Sequence, residues 1–437
     1  MVFDLGILNG RIYADGGWFD GNLYIKDGKI SALSSAYLDC AQTCDAAGKL
    51  VLPGLIDPHV HFALTVGKNT SKDDFYSGSI QAALGGVTTV IDFLDPVKNS
   101  VQLAAAFRER SALAQSCVID YGFHACVAQP EEDIPSFYTA MRGLGMPTVK
   151  LFTTYSTTNR RTKDNRIDDL LRYSKEFGVR VVVHAENDDL VREGPGIPVK
   201  DHENARPMLC ELTEVLKLAE FAVQRDGLLY IVHLNAGTTA QRLKALYSDS
   251  LHTNIILESC PHYFELDSSV YGQEDGYRYT MTPPLRSKEE QQKLRQHIGL
   301  TDVIATDHCP FERGLKQREY VNEIPMGIGG VRTSFSLMYE RFGEQVIPKF
   351  TVNPAKIEGL YPRKGNLLPG ADADVILFDP NTQWTDSDPD SVYFGRKLKG
   401  RVLDTYSKGR CLVKDGAFIG GDHPPKGEYL KRKLERL

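Results

Sequence analysis

Apolar runs of strand length recur through the middle of the chain, and nearly every one ends on ionisable residues. They are VLPGLIDPHVHF (51–62), GVTTVIDF (86–93), CVIDYGFHACV (117–127), TVKLFTTY (148–155), VRVVVHAE (179–186), LLYIVHLN (228–235), NIILESCPHYF (254–264) and DVIATDHCPF (302–311). The segments between them carry helical periodicity. Leu212, Val215, Leu216, Ala219, Ala222 and Val223 recur at i, i+3, i+4, i+7, i+10 and i+11, and Ile167, Leu170, Leu171 and Ser174 close on Gly178, a residue suited to a left-handed helix end. Eight strands alternating with helices predict an α/β chain built as a (β/α)8 TIM-like barrel. An open doubly wound sheet would carry the same alternation, and the polar residues decide between them: they gather at the C-terminal ends of the runs, where barrel active sites are built.

The chain ends have a different texture. Residues 1–52 read as short strands, LGILNGRIYAD, GNLYIKDGKISALS and KLVLPG, with Asn-Gly and Asp-Gly marking hairpin turns. The same texture returns at 365–420 in GNLLPGADADVILFDP, LKGRVLDTYSKGR and CLVKDGAFIG. Pairing of these distant segments predicts a small β-sandwich domain built from both chain ends, 1–52 and 360–437, beside a barrel domain at 53–359. The closing stretch PPKGEYLKRKLERL reads as a basic tail, solvated or in contact with another subunit.

Composition narrows the partner. A chain of 437 residues has room for a large barrel plus a smaller domain, and 42% hydrophobic with 25% charged residues rules out large-scale disorder. A formal charge of −6 offers no overall basic field for nucleic acid or anionic lipid, so a small molecule is the default partner. The opening MVFDLGILNG has no basic segment followed by an apolar stretch, and no 18 apolar residues run together, so neither secretion nor membrane spanning is expected. Eight cysteines without a CxxC pair are expected as reduced thiols in the cytoplasm, Cys40 and Cys44 included.

The candidate chemistry lies at the run ends. In DPHVHF, alternation sends His59 and His61 to one face, so both imidazoles can reach one metal ion. His184 ends VRVVVH, His233 ends LYIVH, and Asp307 follows VIAT. Any one of these is an ordinary core histidine or loop acid; four histidines and an aspartate at matching ends of four strands converge on one mouth if the barrel closes. Lys150 lies inside TVKLF, where an unpaired ammonium is expensive to bury. It either pairs with a barrel carboxylate or, by capturing carbon dioxide, becomes an anionic carbamate able to bridge two metals. Bridged metals can share one hydroxide for attack on an amide carbonyl, so the chemistry implied is metal-assisted hydrolysis.

The ordered set GLIDPHVHF, GGVTTVIDF, VKLFTTY, VVVHAEN, IVHLN, MTPPLR and TDHCPF resembles the cyclic amidohydrolases of the amidohydrolase superfamily, most closely the hydantoinase/dihydropyrimidinase family. The resemblance spans nearly the whole chain. It implies two zinc ions per subunit, His59, His61 and Asp307 holding one and His184 and His233 the other, with carboxylated Lys150 as the bridge. It further implies Asp307 as general base and Tyr155 as hydrogen-bond donor to the developing oxyanion. Thr282 and Met326 fall where relatives contact substrate through the backbone, and Leu64 and Phe152 are candidate pocket walls beside the loop ALTVGKNTSKDDF (63–75). Four positions depart from the common pattern: Thr282 and Met326, where relatives commonly carry Ser and Asn, Arg332, and His262, the last shared with allantoinase-like relatives.

The resemblance thus implies a cytoplasmic enzyme that hydrolyses the ring amide of hydantoins or dihydropyrimidines to N-carbamoyl amino acids. It also implies a homo-oligomer, tetramer or dimer, with no nucleic-acid or membrane partner. The alternatives are an allantoinase-like or other cyclic-imide hydrolase on the same metal core and, more remotely, a non-enzymatic dihydropyrimidinase-like scaffold or a nucleobase deaminase. A scaffold would have lost metal ligands, and a mononuclear deaminase needs no bridging lysine.

Overall fold

The computed structural model describes residues 2–421 and 424–434. Eight parallel strands follow one another around a single sheet: β1 (Leu55–Val60), β2 (Val87–Phe93), β3 (Asp120–Cys126), β4 (Thr148–Phe152), β5 (Arg180–His184), β6 (Leu229–Ile231), β7 (Ile255–Ser259) and β8 (Val303–Ile304). All of their residues are buried except Phe152, which is half-buried, as expected for strands covered on both faces. The sheet closes between β8 and β1. Val60 pairs with His308, and the His61 N–H donates to the His308 carbonyl at 2.9 Å. Asp57 reinforces this seam, its carboxylate accepting from the Thr306 hydroxyl (2.6 Å), the Thr306 N–H (3.2 Å) and the His59 N–H (3.2 Å).

Two of the apolar runs make much shorter strands than their length predicts. In LLYIVHLN the strand spans Leu229–Ile231 alone, and in DVIATDHCPF Val303–Ile304, with His308 adding an isolated bridge. The backbone leaves the sheet because His233 (φ +43°) and Asp307 (φ +50°) are held in the left-handed region, a conformation concentrated at functional sites. The first run divides at Gly54, where a Cβ would fall 2.2 Å from Thr88 Oγ1, so Leu50–Pro53 belongs to the other sheet.

Helix Asp164–Phe177 buries Ile167, Leu170, Leu171 and Ser174 and ends on Gly178 at φ +58°, as the periodicity predicts. Helix Met208–Arg225 differs from its predicted stripe. Its buried face is Cys210, Glu211, Glu214, Val215, Leu218, Ala219 and Ala222, while Val223 is exposed and Leu212 and Leu216 are half-buried. Glu211 turns inward because its carboxylate accepts the Asn235 and Ala236 N–H groups at 2.9 and 3.0 Å in the turn after β6.

The chain ends share a nine-stranded sheet. Its two halves meet where Leu50–Pro53 runs antiparallel to Val375–Phe378, around a core of residues such as Ile7, Ile12, Ile25, Val51 and Val375. Asp15-Gly16 and Asp27-Gly28 make hairpin turns, but Asn9-Gly10 does not. It forms a bulge inside the strand Phe3–Ala14, with Asn9 at φ +56° and its N–H donated to Asn22 Oδ1. All eight cysteines are free thiols. Among the described residues no helix is long and apolar enough to cross a membrane.

The basic tail corrects a second expectation, since residues 424–434 are packed against the barrel; 435–437 lie outside the described residues. Tyr429 pairs with Tyr121, and Leu430 and Arg432 are buried. The Arg432 guanidinium pairs with Glu358 and donates to the Phe123 carbonyl and Thr148 Oγ1, because a charge drawn into the protein needs a partner there.

Lys364 joins the barrel to the second sheet. Its buried Nζ lies 2.6 Å from Asp120 on β3, and 2.6 and 3.0 Å from Asp374 and Asp372, which lead into the strand Val375–Thr385. Replacing it by Met leaves buried Asp374 without a cation, while Asp120 keeps Lys408 and Asp372 keeps Lys29 and Arg363. The loss is expected to cost about 3–5 kcal/mol, read as a lower urea midpoint, and a loss under about 1 kcal/mol would show the cluster to be replaceable. Burial opposes ionisation of Asp372, but Lys364 and Lys29 outweigh it and hold the pKa at about 2. Its folded pKa is therefore depressed below the unfolded value of about 3.9. That contribution is complete above about pH 4 and is lost as pH falls toward 2.

Candidate active site

At the C-terminal mouth of the barrel the predicted residues form a triad and an adjoining pair. His59 Nε2 and His61 Nε2 each lie 3.1 Å from Asp307 Oδ1, and one donor atom from each of the three falls within 4.8 Å of the others. The ring of His233 is 5.6 Å from that of His59 and 4.6 Å from that of His184, so the four imidazoles make a continuous run. Lys150 points into the same space. Its Nζ lies 5.1 Å from the Phe93 ring centroid and 5.4 Å from that of Phe152. Phe93 in turn stands 4.8 Å from both His59 and His61, and Phe152 5.7 Å from His184. The amine is thus placed between the triad and the pair. Of its two predicted states, the direct ion pair does not form among the described residues.

Burial sets the protonation pattern. It pushes His61, His184 and His233 below the ordinary imidazole range and lowers the pKa of Lys150 to about 8. Burial also opposes charge on His59, but Glu258 and Asp307 outweigh it and raise its pKa to about 9. Asp307 is held well below the usual carboxylate range, the neighbouring His59 and His61 overcoming its own burial.

Two glutamates that the run pattern did not single out orient the imidazoles. Glu258, at the end of β7, meets His59 Nδ1 at 2.8 Å and is itself held by the Tyr230 hydroxyl at 2.7 Å. Glu186 meets His184 Nε2 at 2.7 Å and is gripped by Arg206 at 2.7 and 3.1 Å. The sequence signal for Glu186 is its i+2 spacing from His184, the spacing that pairs His59 with His61; Arg206 has none, since it arrives through a separate loop. Each carboxylate occupies one ring nitrogen and leaves the other available to a metal ion, as carboxylates do beside metal-binding histidines. By contrast His124 has both nitrogens engaged, by Thr148 Oγ1 and the Pro58 carbonyl, and is unavailable. Four imidazoles, a carboxylate and a convertible amine fit transition-metal ligation of the zinc type.

The remaining predicted residues line or leave the mouth. Tyr155, at φ +70°, puts its hydroxyl 2.8 Å from Thr282 Oγ1 and its ring 5.3 Å from that of His184. Met326 is half-buried and precedes Gly327 and Ile328, the latter pairing with His308 beside Asp307. Leu64 is half-buried at the base of the hairpin Thr65–Val66/Asn69–Thr70. His262 is buried after β7 with its Nε2 unpartnered, and burial pushes its pKa down to about 4. Arg332 is the exception. Its guanidinium stands 5.7 Å from the Trp384 ring in a crevice with Ser336 and Arg401, between the barrel helices and the second sheet, so this departure lies away from the mouth.

The model of the amidohydrolase family matches residues 50–412. A D-phenylhydantoinase of Escherichia coli O81 (strain ED1a) is 32% identical over 461 residues, covering 98% of each chain. Among solved structures, the D-hydantoinase of Bacillus sp. AR9 superposes with a TM-score of 0.93 at 28% identity, covering 99% of this chain and 100% of that one. The dihydropyrimidinase of Brevibacillus agri NCHU1002 superposes with a TM-score of 0.90 at 27% identity, covering 99% of both.

Because Glu258 and Asp307 together raise the His59 pKa, replacing Glu258 by Gln is expected to bring it from about 9 toward the ordinary value in chelator-treated protein. Histidine NMR titration reads this directly, and an unmoved pKa would assign the whole effect to Asp307. The sign for stability follows: a raised imidazole pKa stabilises the metal-free fold below the unfolded value of about 6.5, and the gain disappears as pH rises through about 9.

Proposed function

The chain belongs to the amidohydrolase family, as a cyclic amide hydrolase of the hydantoinase and dihydropyrimidinase type, and from that premise we propose that it opens the ring amide of a hydantoin or dihydropyrimidine to an N-carbamoyl amino acid. His59, His61 and Asp307 would hold one zinc ion and His184 and His233 a second, with Lys150 between them. The observation that carries this reading is the partnerless Lys150 amine set between the triad and the histidine pair.

Lys150 supplies the bridge. Its lowered pKa leaves a sizeable neutral fraction near neutrality. The neutral amine adds to carbon dioxide, forming an N–C bond and releasing one proton to solvent, and the resulting carbamate offers two oxygens. When bound, the metal pair supplies a water of lowered pKa and Lewis acidity toward the ring carbonyl.

Asp307 accepts the proton of the attacking water and returns it to the ring nitrogen as the C–N bond breaks, so the nitrogen leaves as the neutral NH2 of the carbamoyl group. The Tyr155 hydroxyl, kept protonated by burial, donates to the carbonyl oxygen as negative charge develops there. Thr282 and Met326 present backbone groups to the ring, while Leu64 and Phe152 wall the space for its substituent. The functional units are 53–359 for the chemistry and 1–52 with 360–437 for support. Likeness to the hydantoinases supports a small cyclic ureide as substrate, and the free thiols are in keeping with the cytoplasm; the reading includes a homo-oligomer, a tetramer or dimer.

The test is turnover of hydantoin, 5-phenylhydantoin, dihydrouracil, dihydroorotate and allantoin by zinc-loaded protein, with metal content measured on the same sample. Cleavage of a hydantoin or dihydrouracil is expected; cleavage of allantoin alone, or of nothing with two metals bound, overturns the substrate assignment. Lys150→Ala is expected to lose at least one metal per chain, and two metals with near-normal turnover would sink the carbamate bridge. Tyr155→Phe is expected to lower kcat roughly 100-fold with metal retained, as for a lost oxyanion donor; unchanged turnover would remove Tyr155 from the mechanism.

A further inference from the structure

The loop that follows β8 buries a lysine with no carboxylate against it. Lys316 closes the single helical turn Arg313–Lys316 and is 3% exposed. Its Nζ donates to the carbonyl oxygens of Thr280 (2.7 Å) and Gly327 (2.5 Å), and it makes no ion pair among the described residues. The Thr280 carbonyl also accepts the Gly327 N–H at 3.1 Å, so two chain segments and the amine meet at one point.

The two carbonyls belong to two walls of the mouth. Thr280 lies two residues before Thr282, whose hydroxyl touches that of Tyr155. Gly327 joins Met326 to Ile328, which runs beside His308 next to Asp307. At Gly327 φ is +142° and a Cβ would stand 2.4 Å from the Cys309 carbonyl oxygen, so this backbone is pressed onto the strand end while Lys316 holds it from the other side. An isolated buried ammonium is costly. Burial lowers the Lys316 pKa to about 7, and a neutral amine still carries two N–H groups, one for each carbonyl, so the contact survives in either protonation state.

We propose that Lys316 is a positioning residue that sets the spacing between the 280–282 and 326–328 segments, and thereby the discrimination among ring substituents. This rests on the reading that both segments face the substrate. The test uses the full-length, zinc-loaded Lys316→Met variant with two readouts. Hydrogen–deuterium exchange is expected to quicken in peptides covering both segments. The ratio of kcat/KM for 5-phenylhydantoin to that for hydantoin is expected to shift by about 10-fold or more, with kcat on the better substrate nearly unchanged.

Unchanged exchange at both segments overturns the proposal, as does an equal loss on both substrates, which is what general destabilisation produces. If the wild type cleaves no cyclic amide, the functional reading fails and the exchange measurement still decides the role of Lys316. Should Lys316→Met not fold, Lys316→Gln, which keeps N–H donors on a shorter arm, is put through the same measurements.

Discussion

His59 lies between two carboxylates inside an apolar barrel, Glu258 on one nitrogen and Asp307 on the other. The rest of the mouth depends on that arrangement. A charged imidazole is costly to bury unless an opposite charge meets it, and a buried carboxylate unless it is paired or hydrogen-bonded. Glu258 meets the condition by also taking the Tyr230 hydroxyl and the His233 N–H, which ties β7 to β6 at the level of the site. Glu186 repeats the device for His184, with Arg206 as its cation. His59 and His184 are therefore fixed in orientation, because leaving either carboxylate unpartnered in the barrel is costly.

The same rule explains how the barrel is held to its surroundings. Asp57 closes the seam between β8 and β1 through Thr306, Lys364 gathers Asp120, Asp372 and Asp374 at the junction with the second sheet, and Arg432 brings the tail under β3 and β4. Each is a charge taken out of water with at least one partner from a distant part of the chain. Such groups specify an arrangement more than they stabilise it, since a mispaired alternative would strand a charge.

The candidate ligands and the walls around them belong to different structural classes. The candidate ligands stand on or just beyond strand ends, where the parallel sheet fixes their spacing. The walls around them, 63–75, 280–282 and 326–328, are loops braced by side chains such as Lys316 and by His308, which accepts the Gly330 N–H and meets Asp73. A fixed centre beneath adjustable walls suits a family whose members cleave different rings. Met326 and His262 lie near the mouth, whereas Arg332 lies away from it, 5.7 Å from the Trp384 ring.

The sequence by itself determined the barrel and the joining of both chain ends in a second β unit, expected as a sandwich and found as one nine-stranded sheet, and it singled out the histidines and the aspartate that meet at the mouth. Those follow from local rules: apolar runs bury, His-x-His shares a face, and a strand's last polar residue meets the opening. Where a run ceases to be a strand was not legible, because His233 and Asp307 leave the sheet through left-handed backbone held by their surroundings. Nor was the pairing of charges, since Glu258 with His59, Arg206 with Glu186 and Arg432 with Glu358 are separated by 199, 20 and 74 residues. Tertiary structure decided these because a buried charge selects its partner by distance in space, and separation along the chain carries no record of that distance.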